Sequence, residues 1–175
     1  MQYMSTRGDT KTVSFADACL AGLAPDGGLY TPVEYPKLAP ASGKESYTDI
    51  ATRVLSAFAG DSISEADVQT LVAKAYASFA HQSVTPLSEI GPDQWLLELH
   101  HGPTLAFKDV AMQIIAQFYD HLLAERGQRL TVLCATSGDT GGAAAAAFAG
   151  LESVDVFILH PHERISPIQR RFMTS

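Results

Sequence analysis

His101-Gly-Pro-Thr-Leu-Ala-Phe-Lys-Asp109 sets a lysine at the entry of a long amphipathic helix, directly after a stretch that reads as a buried strand, Gln94-Trp-Leu-Leu-Glu-Leu99. Gly102-Pro103 breaks the strand. Apolar residues then recur at Val110, Ile114, Ile115, Phe118, Leu122 and Leu123 with the period of a helix, which puts Lys108 in its first turn. Aligned amide dipoles make that end of a helix positive, so a lysine there carries an electrostatic cost that a carboxylate would avoid. The same field, with Leu105, Ala106 and Phe107 beside it, favours the neutral amine, the form that condenses with an aldehyde. Lys108 is therefore a candidate for covalent cofactor attachment. A solvated lysine paired with Asp109 explains the same position equally well.

Downstream, Leu130-Thr-Val-Leu-Cys-Ala135 is the continuous apolar run of a strand buried on both faces. Ser137-Gly-Asp-Thr-Gly-Gly142 leads from it into the helix-forming Ala143–Ala149, closed by Gly150, and Val154–Leu159 supplies another strand. Strand, helix, strand, helix, strand predicts right-handed parallel crossovers within one sheet. The loops after Leu99 and after Ala135 then open at the same carboxyl edge, and Lys108 shares a crevice with the glycine loop. Ser166 and Pro167 begin a further helix, as cap and first residue.

Upstream, Tyr3–Thr6 reads as a short edge strand. Ser14 caps a helix over Phe15–Leu23, and the turn Pro25-Asp-Gly-Gly28 leads into Leu29–Thr31. Pro32, Pro36 and Pro40 keep the next segment extended. Ser46 caps a helix to about Phe58, and Ser64, with Glu65 and Asp67 in the first turn, caps another to about Phe79. Val84–Leu87 and Trp95–Leu99 read as strands around the turn at Gly91-Pro92-Asp93.

The glycine loop places backbone N–H groups and two hydroxyls at a helix N-terminus, a cradle for a carboxylate or phosphate. It ends without Gly-Lys-Ser/Thr and lacks Gly-x-Gly-x-x-Gly, so it is not a nucleotide loop. A tight turn whose glycines only permit close packing is the competing reading. With 46% hydrophobic and 18% charged residues among 175, the chain has an ordinary globular composition, and no apolar run approaches the roughly 20 residues of a membrane span. A formal charge of −7 argues against nucleic acid or an anionic membrane as partner. Cys19 and Cys134 are isolated thiols, and the opening Met1–Arg7 has no signal-peptide core, so a reduced, cytoplasmic setting is expected. The pairs His100, His101 and His160, His162 lack helical ligand spacing, and no metal is expected. Arg7, Lys11, Arg164, Arg170 and Arg171 are candidate phosphate partners that sequence does not rank.

Pro103-Thr-Leu-Ala-Phe-Lys-Asp109 together with Thr136-Ser-Gly-Asp-Thr-Gly141 resembles the threonine synthase family, pyridoxal-phosphate enzymes of the tryptophan-synthase-like fold. Tyr3-Met-Ser-Thr-Arg-Gly8, Ser14-Phe-Ala-Asp17 and Gly22-Leu-Ala-Pro-Asp-Gly-Gly-Leu-Tyr30 resemble its opening segment. The resemblance implies an α/β fold, with residues 1–90 as the family's N-terminal region and 91–175 as the first part of a parallel-sheet cofactor domain. It implies that Lys108 carries pyridoxal 5'-phosphate, with Asp139 also at the cofactor. Thr104, Ser137, Gly138, Thr140 and Gly141 would then meet the substrate. The implied reaction is O-phospho-L-homoserine and water to L-threonine and phosphate. A phospholyase or dehydratase of the same fold, or a catalytically silent module, are the alternatives. His100 departs from the aromatic or apolar residue usual before the family's His-Gly-Pro-Thr. The family's proteins are more than twice as long, so this chain is expected to be an N-terminal portion, inactive alone and prone to self-association through an open face.

Overall fold

The computed structural model describes residues 1–9 and 11–174. The chain divides into two compact units, Met1–Ala73 and a second that begins at Lys74.

In the first unit, β1 (Gln2–Ser5) pairs antiparallel with β2 (Val13–Ser14) on one side and β3 (Tyr30–Pro32) on the other. Three serines start three helices. Ser14 Oγ accepts the Asp17 amide at α1 (Phe15–Ala21) and Ser46 Oγ the Asp49 amide at α2 (Tyr47–Ala59). Ser64 Oγ accepts the Asp67 amide at α3 (Glu65–Tyr76), which carries the boundary to the second unit. Each such cap contributes about 1 kcal/mol, and Asp49 returns a bond to the Ser46 amide to complete a capping box. The turn after α1 is tied to β1 through Asp26, which accepts from Ser5 Oγ at 2.7 Å and from the Gly28 amide at 2.9 Å. The Ser5 bond, more than the others, holds the Asp26 carboxyl below its ordinary range. Tyr3, Ala59, Ile63, Val68 and Val72 form the core of this unit. Cys19 on α1 and Cys134 in the second unit are both free thiols, and burial pushes the Cys19 thiol up to about 11.

The second unit holds β4 (Leu87–Gly91), β5 (Gln94–Leu97), α4 (Asp109–Arg126), β6 (Leu130–Ala135), α5 (Asp139–Phe148), β7 (Val154–Leu159) and α6 (Pro167–Thr174). In α4, Ile114, Phe118, Leu122 and Leu123 are buried, as the periodicity predicts. Left-handed Gly127 ends the helix while the Gln128 amide returns to the Leu123 carbonyl. β6 and β7 pair parallel in the register Leu130 with Val154 through Ala135 with Leu159, with α5 as the crossover.

Four expectations change here. First, β5 does not join β6. Its hydrogen bonds are taken by β4 in an antiparallel hairpin, with Leu87 opposite Leu97, so the expected three-strand parallel sheet is two separate two-stranded ones. Second, β5 is exposed and not buried. Trp95 keeps 59% of its surface, with Leu96 and Leu97 close behind, because nothing among the described residues covers the hairpin. Third, β6 is half-buried on one face and exposed on the other. Burial alternates along it, and Leu133 (67% exposed) and Phe157 (60%) lie open with Leu159, although Ala143, Ala144 and Ala147 of α5 are buried. Val84 is also in a turn and not a strand. Its φ is 55° and the strand begins three residues later, at Leu87. Among the described residues no helix is long and apolar enough to cross a membrane.

Candidate active site

Gly102 opens the lysine loop. A Cβ there would lie 2.4 Å from Cβ of Asp109, so only glycine lets the chain fold back against that residue. Asp109 is fully buried. Its Oδ2 accepts the Thr104 amide at 2.8 Å and its Oδ1 accepts Thr104 Oγ1 at 2.7 Å. The loop between them passes through Leu105 at φ 63°, a left-handed conformation rare for a leucine. Lys108 therefore stands one residue before the helix, at its N-cap and not in its first turn. Its backbone is already helical, and its carbonyl accepts the Met112 amide at 2.9 Å.

This arrangement takes Asp109 away from Lys108 as an ion-pair partner. The carboxylate next to it is turned inward on Thr104, and the lysine makes no ion pair among the described residues. The half-buried amine lies over the Phe107 ring, 4.3 Å from its centroid. Thr104 is equally committed, since both its amide and its hydroxyl are given to Asp109.

The glycine loop is less open than its composition suggests. Thr136 Oγ1 accepts from the Gly138 amide at 3.0 Å and the Gly141 amide at 3.3 Å, so two donors expected to be free are satisfied within the loop. A Cβ at Gly138 would strike Gln169, and one at Gly141 would come within 2.6 Å of Met173 Sδ. These glycines thus serve close packing against α6 as well as a turn. Asp139, the first residue of α5, accepts from Gln169 Nε2 at 2.9 Å. Ser137 is exposed and Thr140 half-buried.

The two loops do meet. A cavity of about 220 Å³ has Thr104, Leu105 and Ala106 on one side and Gly138, Asp139 and Gly142 on the other, with α6 contributing Gln169 and Phe172. Lys108, Ser137, Thr140 and Gly141 are not part of its lining. A neighbouring apolar cleft of about 570 Å³ runs from Pro103 and Thr104 to Arg171 and Phe172. Of the candidate phosphate partners, Arg171 alone lines either space. Arg7, in the first unit, binds the Asp26 carbonyl.

Sequence reasoning missed Gln169, which carries no motif signal, and, although Thr136 and Asp109 lie within the quoted motifs, it missed that Thr136 bonds its own loop and that Asp109 turns inward. It also found no carboxylate near the paired histidines, and the structure supplies one. Glu98 Oε2 lies 2.7 Å from His101 Nε2 and 4.0 Å from His100 Nε2. The Ser88 hydroxyl bonds Oε1, and that bond first, then His101, holds the Glu98 carboxyl below its ordinary range.

The family described as threonine synthase N terminus matches residues 2–76. Over its whole length the chain is 46% identical to threonine synthase of Pseudomonas aeruginosa, of which it covers 38%. It is 40% identical to that of Saccharomyces cerevisiae over 99% of the chain and 37% of the relative. The crystal structure of a threonine synthase from Brucella melitensis with pyridoxal phosphate bound superposes on all of the chain with a TM-score of 0.94. The two are 50% identical, and the chain covers 39% of that protein. The Escherichia coli enzyme superposes on 99% of the chain with a TM-score of 0.84 at 36% identity, with 40% of its own length covered. The chain thus spans less than two fifths of the length of these curated relatives. The lysine loop, the glycine loop and the opening segment lie within these matches, and over its whole length the chain is similar in sequence and fold to the N-terminal portion of threonine synthases.

Proposed function

We propose that this chain provides the lysine and one wall of a pyridoxal-phosphate site, in a protein that converts O-phospho-L-homoserine and water to L-threonine and phosphate. Residues 1–90 are then the family's N-terminal region and 91–175 the first part of the cofactor domain, in a cytoplasmic enzyme of the carbon–oxygen lyase class. The observation that carries this reading is the state of Lys108. It is half-buried, held at a helix entry by a loop locked through Asp109, and makes no ion pair among the described residues. An amine with no ion pair to break can condense with an aldehyde carbon once it has given up its proton.

Once bound, the cofactor supplies an electron sink for charge developing on a substrate carbon. The chain's own residues do the rest. Lys108 Nζ holds the cofactor and, when displaced by the substrate's amine, carries a proton between substrate atoms. Asp139, Ser137, Gly138, Thr140 and Gly141 face cofactor and substrate from the other loop. With the Gly138 and Gly141 amides bonded to Thr136, the Ser137 and Thr140 hydroxyls are the loop's accessible donors for a carboxylate.

Incubating the chain with pyridoxal phosphate, reducing with borohydride and mapping peptides tests the reading. The pyridoxyl group should fall on Lys108. Equal labelling of Lys11, Lys37, Lys44 and Lys74 would end it.

A further inference from the structure

Glu98, His100 and His101 bring three donor atoms within 4.8 Å of one another. The lysine site does not use them. Their backbone is fixed at both ends, since the Glu98 amide donates to the Pro86 carbonyl at 2.9 Å and the His101 carbonyl accepts the Ala80 amide at 2.9 Å. The side chains are also held. Ser88 pins Oε1 of the carboxylate and leaves Oε2 facing both imidazoles, and His81 packs on the His101 ring with centroids 5.2 Å apart. Glu98 has no lysine or arginine partner among the described residues, and its only ion-pairing groups are these two histidines. This sets one carboxylate oxygen against two imidazole nitrogens, with one side open, His100 keeping 62% of its side-chain surface.

We propose that Glu98, His100 and His101 bind one divalent transition-metal ion of the zinc class, with solvent at the open position. Zinc–ligand bonds of about 2.0–2.1 Å place donors of a tetrahedral site roughly 3.3 Å apart. The two carboxylate–imidazole separations, 2.7 and 4.0 Å, bracket that spacing, and the two rings, stacked with centroids 4.5 Å apart, turn about their side-chain bonds to converge on one ion. Ligation through Nε2 requires the His101 ring to carry its proton on Nδ1, so the proton between Oε2 and Nε2 is exchanged through solvent to Nδ1 as the metal takes the Nε2 lone pair. Two imidazoles and a carboxylate suit zinc, cobalt, nickel or copper and not calcium or magnesium. Ser88, on the far carboxylate oxygen, is the outer-sphere partner such sites use to orient a ligand. The site is independent of the cofactor reading, since it uses neither Lys108 nor the glycine loop.

Zinc added to the metal-free chain in competition with a chromogenic chelator measures affinity, and cobalt in its place reports coordination through its visible bands. One ion per chain is expected. His100→Ala, at an exposed position, should weaken binding more than about tenfold, and Ser88→Ala about tenfold. His162→Ala, at an exposed histidine beside Glu163, should change nothing. Absence of binding, a His100→Ala protein with unchanged affinity, or loss of the ion in His162→Ala would each overturn the proposal.

Discussion

Replacing Asp109 with alanine should destabilise the second unit more than any exposed substitution, because the residue is fully buried and both of its oxygens are in use. A hydrogen bond to a charged group contributes about 1.5–3 kcal/mol. Removing the acceptor also leaves the amide and hydroxyl of buried Thr104 without a partner, which puts the loss at about 3–5 kcal/mol. Against a total of roughly 5–15 kcal/mol for a folded domain, that is a large share. Asp109→Asn keeps one acceptor and should lose about half as much, and Thr104→Val about 1–2 kcal/mol. Urea unfolding of the four members of the Thr104→Val, Asp109→Asn cycle isolates the pair, whose coupling should exceed about 1 kcal/mol. Pyridoxyl labelling of Lys108 should slow in each variant, since the locked loop sets where the amine stands. If the two costs add to within about 0.5 kcal/mol, Thr104 is not committed to Asp109 and its hydroxyl is available to a substrate.

Gly102→Ala forces a Cβ to within 2.4 Å of Asp109 and should cost about 1–3 kcal/mol in a urea melt, whereas exposed Ser137→Ala should cost almost nothing. Asp139→Ala removes one exposed bond to Gln169, so the melting temperature should stay nearly unchanged while activity of the complete enzyme collapses; a core-like shift with normal turnover would make the loop structural. The Glu98 carboxyl is held low in the folded state, so its stabilisation is present at neutral pH and is lost as pH falls through a folded value below the usual carboxylate range; Glu98→Gln should flatten that part of the stability–pH curve. Leu133, Phe157 and Leu159 leave one face of the β6–β7 sheet open, so the chain should self-associate in sedimentation, and Phe157→Glu should shift it toward monomer; identical profiles would rule out this face.

Local chemistry alone determined much of this protein. Serine oxygens at helix starts and the buried stripe of α4 follow from forces acting within a few residues, and they stand where the sequence places them. The two chemical loops were also readable, because a lysine at a helix entry and a polar glycine turn each leave a compact signature. Pairing and covering were decided by tertiary structure. Gln94–Leu97 has the composition of a buried strand, but hydropathy does not name the neighbour, and the short turn at Pro92-Asp93 sets β4 alongside it to take its hydrogen bonds. Leu130–Ala135 is apolar on both faces, and whether both are covered depends on what packs there, not on the strand. The side-chain alliances were invisible for the same reason. Asp109 turns to Thr104 and away from the adjacent lysine, Thr136 fills its own loop, and Glu98 meets two histidines, because burial and backbone direction select one hydrogen-bond partner among several that sequence distance permits.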